Sequence, residues 1–498
     1  MSIPPSRSLS VQRRRHAPLL SVILSTMTTV RTRFAPSPTG FLHVGGIRTA
    51  LFAWLVARQA GGQFILRLED PDKVREVPGS REHLIASLKA LGLQYDEGPD
   101  IGGSYGPYVQ SERLDRYKQW AEKLIAAGRA YADPYTPEEV QQFREQAQAA
   151  KRPFLYRDFR PENPPAWDGT RPLRFKSEPK AYSWHDEVMG DLSTGPEVID
   201  DFILIKSDGY PTYNFAHIID DLEMEITHVI RGQEFISSVP NYLNLYEALG
   251  IERPILATMP HILNEQGNKK LGKRDGAKDV LDYIRDGYLP EAMVSFIATL
   301  GWNDGTTQEV FTRAELIEKF SLDRVGRSGA RFDEKRLIWV NGHFIRELPL
   351  SELSRRAEFF WSETAKKADE AYKRQVLALA QDRLKTLADL PGLTSYFFEE
   401  PKAEQSLISE NKQLKKLSDD DIKRLIGAAH SKLAALTDWS AETLQAALNE
   451  LLEETGEKPG VLFSLIRIYT TWAPFSPQLN DTLALLGRDR TLGRLMTA

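Results

Sequence analysis

The sequence predicts an α/β fold: a parallel sheet with crossover helices, interrupted by an irregular insertion and followed by a purely helical region. Three observations carry that expectation. Val30 to Ala35, a helical stripe from Ile47 to Leu55, and Gln63 to Asp70 read as one βαβ unit. A second strand-rich stretch, Asp201 to Lys206 and Glu225 to Ile230, returns far downstream. Beyond about residue 345 only helical periodicity remains.

In the first unit, Val30 to Ala35 reads as a buried strand. Ile47, Ala50, Leu51, Trp54 and Leu55 fall on one face of a helix that Gly61-Gly62 ends. Phe64, Leu66 and Leu68 then share a strand face. A parallel sheet with a right-handed crossover follows from this order. Ligands in such sheets lie beyond the carboxyl ends of the strands, which places Ser37 to Gly46 and Glu69-Asp70 on the binding edge.

Residues 109–200 are less regular and rich in proline between Pro153 and Pro172, the pattern of an inserted domain. Asp201 to Lys206 is expected to reopen the parallel sheet. In the last third, Leu377, Ala380, Leu384 and Leu387 form one helical stripe stopped by Pro391-Gly392. Ile422 to Leu436 form a second, capped by Ser418-Asp419, and Leu444 to Leu452 a third ending at Gly456.

A chain of 498 residues exceeds a single core, so about two to four domains are expected. The net charge of -5 offers no global field for nucleic acid, leaving that role to local patches. Cysteine is absent, which excludes disulfides, thiolate nucleophiles and zinc sites built on cysteine. No apolar run reaches the ~18 residues of a membrane span. Residues 1–28 hold four arginines, Arg7, Arg13, Arg14 and Arg15, and no acid. They read either as an organellar transit peptide or as an extension upstream of a start at Met27, the second implying a cytoplasmic protein.

The turn Phe34-Ala35-Pro36-Ser37-Pro38-Thr39-Gly40-Phe41-Leu42-His43-Val44-Gly45-Gly46 joins strand to helix. Glycines admit a ligand close to the backbone, and a helix N-terminus offers unpaired N–H groups to phosphates. It is neither G-x-G-x-x-G nor a P-loop. It resembles the His-x-Gly-His signature of class I aminoacyl-tRNA synthetases, and its proline-rich lead the glutamyl and glutaminyl branch. Lys270-Leu271-Gly272-Lys273-Arg274 resembles the lysine loop of the same family, with Gly272 in place of serine. Gln110 to Leu114, Thr212 to Phe215, Thr227 to Gly232, Tyr288 to Ala292 and Gly301-Trp302-Asn303 match as well.

That resemblance implies ATP-dependent ligation of glutamate to tRNA(Glu), with tRNA(Gln) as a further possible acceptor, through an enzyme-bound adenylate. It implies a Rossmann-like catalytic domain in two halves, 29–108 and 201–258, around an acceptor-end-binding insertion at 109–200. A stem-contact region at 259–345 and a helical anticodon-binding region at 346–498 complete it. His43, Lys270 and Lys273 would be catalytic, and ATP would meet His43, Gly45, Gly46, Lys270, Lys273 and Glu234. Glutamate would meet Arg33, Ala35, Ser37, Glu69, Tyr213 and Arg231. ATP would come with Mg2+; no structural zinc, no membrane and a monomer are expected. His217 occupies a position that varies in the family, and Phe235 is expected as a pocket wall. Lys412, Lys415, Lys416 and Arg467 are weak candidates for RNA contact. A glutaminyl enzyme is disfavoured by Arg231 and the helical C-terminal region. A non-catalytic tRNA-binding paralogue is disfavoured by the retention of His43 and the loop lysines.

Overall fold

The computed structural model describes residues 29–72, 75–272, 278–473 and 475–496. Both readings of residues 1–28, and the calls on Lys273 and Arg274, lie outside them. Strand β1 (Arg31–Phe34), helix α1 (Val44–Gln59) and strand β2 (Gln63–Leu66) form the expected βαβ unit, with β1 and β2 parallel from Arg31↔Gln63 to Phe34↔Leu66. The α1 stripe is wholly buried at Ile47, Ala50, Leu51 and Leu55. Each large apolar side chain sequestered there contributes about 1.5–3 kcal/mol. The expected second strand is shorter than Gln63–Asp70. After Leu66 the backbone stays beside β1, Arg67 N donating to Phe34 O and Glu69 N to Pro36 O at 3.0 and 3.1 Å. That carries Glu69 to the glycine-rich turn.

Helix α2 (Ser80–Ala90) packs next to this unit, and α3 (Leu114–Ala126) opens the insertion. Strand β3 (Ala130–Ala132), helix α4 (Pro137–Ala149), strand β4 (Leu173–Phe175) and the hairpin β5 (Tyr182–Asp186) and β6 (Gly190–Thr194) follow. Strand β7 (Ile203–Ile205) corrects one expectation. It does not reopen the parallel sheet but pairs antiparallel with β4, in a three-stranded sheet β3-β4-β7. An apolar run such as Ile203-Leu204-Ile205 satisfies either sheet equally, so its partner cannot be read from its composition.

The chain regains the parallel sheet through α5 (Tyr213–Glu223) and β8 (His228–Gly232). The strand predicted to begin at Glu225 starts three residues later. Met224, Glu225 and Ile226 are still closing the end of α5, their N–H groups donating to Asp220, Leu222 and Asp221, with Glu225 at φ 54°. Helix α6 (Val239–Leu249) and β9 (Ile255–Met259) complete a four-stranded parallel sheet ordered β2-β1-β8-β9.

Short strand β10 (Ile262–Leu263), helices α7 (Val280–Arg285), α8 (Pro290–Ala298) and α9 (Arg313–Lys319), strand β11 (Ala330–Arg331) and helix α10 (Glu334–Glu347) make the next region. β10 pairs with β11, and Leu271 N donates to Ile262 O at 2.8 Å. Beyond Leu350 every regular element among the described residues is helical. The stripe predicted from Leu377 to Leu387 is split. A helix ends at Ala380, Leu384 and Leu387 sit on later short turns, and Pro391-Gly392 lie in the first turn of the helix Leu390–Thr394 rather than stopping one. Proline is compatible with a helix start, where its missing N–H is not needed. Asp419–Ala434, with Ser418 accepting from Asp421 N, and Ala441–Thr455, closed by Gly456 at φ 70°, match the other two stripes.

Candidate active site

The carboxyl ends of β1 and β8 and the extended chain after β2 converge on a cavity of about 260 Å3. It lies where neighbouring strands of the parallel sheet send their connections to different parts of the chain. Arg33, Ala35, Ser37, Glu69, Tyr213 and Arg231 all line it, as do Gly46, Glu234 and Phe235. His43 and Gly45 stand beside this wall at the α1 N-terminus, and Lys270 reaches it through Glu234.

His43 caps α1: its Nδ1 accepts from Gly45 N at 3.1 Å. A ring that accepts at Nδ1 carries its proton at Nε2 when neutral, so Nε2 is a donor suited to a phosphoryl oxygen. A side chain at Gly45 would press on that ring, with a Cβ only 3.1 Å from His43 Cε1. The chain after the lysine-rich segment returns to the same turn. Asp279 forms a β-bridge with His43, and its carboxylate lies 3.2 Å from His83 Nε2. At the start of that segment, Lys270 bridges Leu263, and its Nζ lies 3.7 Å from Glu234. Glu234, expected to meet ATP, therefore also ties the β8 end to the lysine segment.

The two arginines expected at the amino-acid side chain differ in their surroundings. Arg33 is committed to Asp221, its Nε and Nη2 donating to the two carboxylate oxygens at 3.0 and 3.2 Å. Asp221 also accepts from Arg67 Nη1 at 2.7 Å, and Arg67 Nη2 donates to Glu69 at 2.9 Å. Asp220, next on α5, takes Arg113, Gln110 and Tyr117 from the insertion side. Arg231 has no such partner. It is buried, its guanidinium faces the rings of Tyr242 and Phe235 at 4.9 and 5.5 Å, and it forms no ion pair with any described residue.

Burial pushes the Glu69 carboxyl up to about 7, against the pull of Arg67 and Arg33. Burial also raises the Tyr213 phenol, so its hydroxyl remains a donor. Tyr213 is fixed between His217 and Phe235, with ring centroids 4.8 and 5.1 Å away. His217 donates from Nδ1 to Tyr213 O at 2.7 Å and stands behind Tyr213 rather than in the cavity wall. Burial, reinforced by Arg231, lowers His217 to about 3 and keeps it neutral.

Residues 29–339 match the family described as tRNA synthetases class I (E and Q), catalytic domain, and residues 351–498 match the anticodon binding domain. The chain belongs to the class I tRNA synthetases of the E and Q group. It is 41% identical to a glutamate–tRNA ligase of Roseiflexus sp., over 94% of this chain and 96% of that one. It is 40% identical to the glutamate–tRNA ligase of Chloroflexus aurantiacus, over 94% and 97%. A crystal structure of a glutamate tRNA ligase from Elizabethkingia meningosepticum, in complex with its amino acid, superposes with a TM-score of 0.83 at 32% identity, covering 94% of this chain and 99% of that one. Arg67, readable in the sequence as a structural partner of Glu69, is bonded to it, whereas Asp221 and Arg48 are residues that motif reading passed over. The paired acids in His217-Ile218-Ile219-Asp220-Asp221 were the available signal, because acids closing an apolar run require buried partners.

In the helical region, Arg383, Lys385, Arg467, Phe475 and Ser476 line a second cavity of about 730 Å3. Of the lysines and arginine considered for RNA contact, only Arg467 reaches it. Lys412, Lys415 and Lys416 are exposed elsewhere.

Proposed function

We propose that this synthetase joins L-glutamate to tRNA(Glu). A carboxylate oxygen of glutamate attacks the α-phosphorus of ATP, giving glutamyl-adenylate and pyrophosphate. The 2′-hydroxyl of the terminal adenosine then takes the acyl group and releases AMP. The observation that carries the amino-acid assignment is Arg231, a buried guanidinium with no carboxylate partner among the described residues. A side-chain carboxylate entering the cavity completes that pair with a strong charge-assisted bond, whereas the amide of glutamine leaves the charge uncompensated.

Glu69 receives the α-ammonium group, Tyr213 donates its hydroxyl, and Arg33, held by Asp221, presents its remaining N–H edge. His43, the α1 N-terminus and Lys270 stabilise charge that grows on the phosphoryl oxygens in the transition state. Lys273 belongs with them by its place in the family motif. No group of three or more potential metal ligands occurs among the described residues, so Mg2+ would enter on the phosphates of ATP. The insertion holds the acceptor end, the region around β10 and β11 the inner stem, and the helical region the anticodon. A monomer that works in the cytoplasm completes this reading.

Pyrophosphate exchange with glutamate and with glutamine, each with and without tRNA(Glu) and tRNA(Gln), tests the reading. Exchange with glutamate in the presence of tRNA(Glu) is expected. Exchange with glutamine alone would overturn the assignment, and charging of tRNA(Gln) would mark a relaxed anticodon site.

A further inference from the structure

Two buried arginines of the catalytic region, Arg231 and Arg48, have no carboxylate within ion-pair distance among the described residues. The others there are matched: Arg31 by Glu97, Arg33 and Arg67 by Asp221, Arg113 by Asp220. A cation held out of water without a counter-charge costs several kcal/mol, so both require an explanation. The two substrates of the proposed reaction each bring negative charge, and Arg231 lies in the amino-acid half. Arg48 lies in the other.

Arg48 sits one turn into α1 from the His43 cap and is 4% exposed. Its Nη1 donates to Leu300 O at 3.1 Å and its Nη2 to Pro260 O, while its Nε has no hydrogen-bond partner. Pro260 immediately precedes His261 and β10, the strand that pairs with Lys270 and Leu271. Arg48 therefore ties the wall that carries His43, Gly45 and Gly46 to the wall that carries His261 and Lys270. Carbonyl oxygens solvate its charge without neutralising it. The carboxylate whose field it feels is Glu234, on the cavity rim, and Glu234 is already shared with Lys270. Burial correspondingly lowers Arg48 to about 10, still protonated at neutral pH.

We propose that Arg48 is a positioning residue of the nucleotide half: it fixes the two walls of the ATP cleft and holds there a buried positive charge that the polyphosphate compensates. This rests on the synthetase reading for its substrate, but nucleotide binding tests it without turnover.

The experiment compares the parent with Arg48→Met and Arg48→Lys. Affinity for a non-hydrolysable ATP analogue is read by thermal shift, and KM for ATP and glutamate by exchange with saturating tRNA(Glu). Arg48→Met is expected to raise KM for ATP by roughly tenfold or more and to shrink the stabilisation by the analogue, with KM for glutamate moving less than about twofold. Arg48→Lys keeps the charge but cannot span both carbonyls. It should stay within about threefold of the parent KM for ATP while losing kcat. An unchanged KM for ATP in Arg48→Met, an equal rise for both substrates, or Arg48→Lys as impaired in ATP affinity as the methionine variant would each overturn the proposal. Should Arg48→Met not fold, Arg48→Gln takes its place in the same comparison, with the same outcomes supporting or overturning the proposal. A parent that binds the analogue yet exchanges with no amino acid would count against the synthetase reading and leave the Arg48 proposal to the thermal-shift arm.

Discussion

Asp221 grips Arg33 with both carboxylate oxygens, at 3.0 and 3.2 Å, and at the same time takes Arg67 at 2.7 Å. Arg33 thus reaches the amino-acid cavity already oriented and already neutralised. Asp221→Asn keeps the shape but leaves the buried Arg33 guanidinium without a carboxylate partner and Arg67 with only Glu69 and Asp220. A loss of about 3–5 kcal/mol in unfolding free energy is expected, because breaking a buried pair strands its partner. Urea midpoints measure it. Burial alone would raise the Asp221 carboxyl, but Arg33 and Arg67 hold it well below the ordinary value of 3.8. Its stabilising contribution is therefore present above that value and is lost as pH falls through the depressed one. KM for glutamate should rise together with the loss of stability; an unchanged KM would remove Arg33 from the substrate side of the network.

Glu69 predicts a loss of activity at low pH together with a stability dependence opposite in sign to that of Asp221. With its carboxyl pushed up to about 7, the empty site loses its anionic partner for the α-ammonium group as pH falls below neutrality. kcat/KM for glutamate should fall by about tenfold per pH unit there, while KM for ATP stays level. Glu69→Gln should abolish that slope and lower kcat/KM throughout. For stability, the folded value lies above the ordinary 4.5, so the contribution of Glu69 is greatest below 4.5 and declines as pH rises towards 7. A Glu69→Gln protein whose stability still declined in parallel with the parent over that window would rule out Glu69 as the titrating group.

These residues also mark how far the sequence could be read. The turn from Phe34 to Gly46 announced its chemistry, because a histidine, a glycine pair and a flanking strand and helix are all local features, whereas the capping of α1 by His43 came from the structure. Glu69 was placed on the binding edge by strand order, whereas Arg33 and Arg231 came from the family resemblance. Asp221 was not found, since its partners Arg33 and Arg67 are more than 150 residues away and no periodicity links them. Ile203 to Ile205 was given to the wrong sheet for the same reason: pairing is a long-range choice that a three-residue apolar run does not encode. Arg33 and Arg231 looked equivalent as residues. Only the position of Asp221 separates the neutralised arginine from the uncompensated one.

Lys270 lies 3.7 Å from Glu234 with its head half-exposed, a geometry that contributes little to stability but sets a mobile charge beside the cleft. Lys270→Ala should leave thermal unfolding within error and slow adenylate formation by a factor on the order of 10² or more, the usual cost of losing one preorganised donor. Single-turnover formation of glutamyl-adenylate with tRNA(Glu) bound is the measurement. A variant within a fewfold of the parent would return Lys270 to the solvated surface and shift the burden to His43 and the α1 N-terminus.

Phe475 is 72% exposed at the mouth of the 730 Å3 cavity in the helical region. An aromatic ring left in water beside Arg383, Lys385 and Arg467 has the makings of a stacking platform for an unpaired base, with cations for the adjoining phosphates. The wall holds one acid, Asp389, whose Oδ2 accepts from the backbone N–H groups of Lys385 and Thr386, and the three cations outnumber it. Arg467 is steadied by Ser476, whose Oγ accepts from its Nε at 2.8 Å. Loss of one stacked base costs about 1–3 kcal/mol, so Phe475→Ala should raise KM for tRNA by roughly 5- to 150-fold. Once tRNA is saturating, kcat and the KM values for glutamate and ATP should be those of the parent, because the cleft itself is untouched. Lys412→Ala, exposed and away from the cavity, serves as the matched control and should leave KM for tRNA unchanged. Equal effects of the two substitutions would show that general charge and surface, rather than this cavity, hold the anticodon.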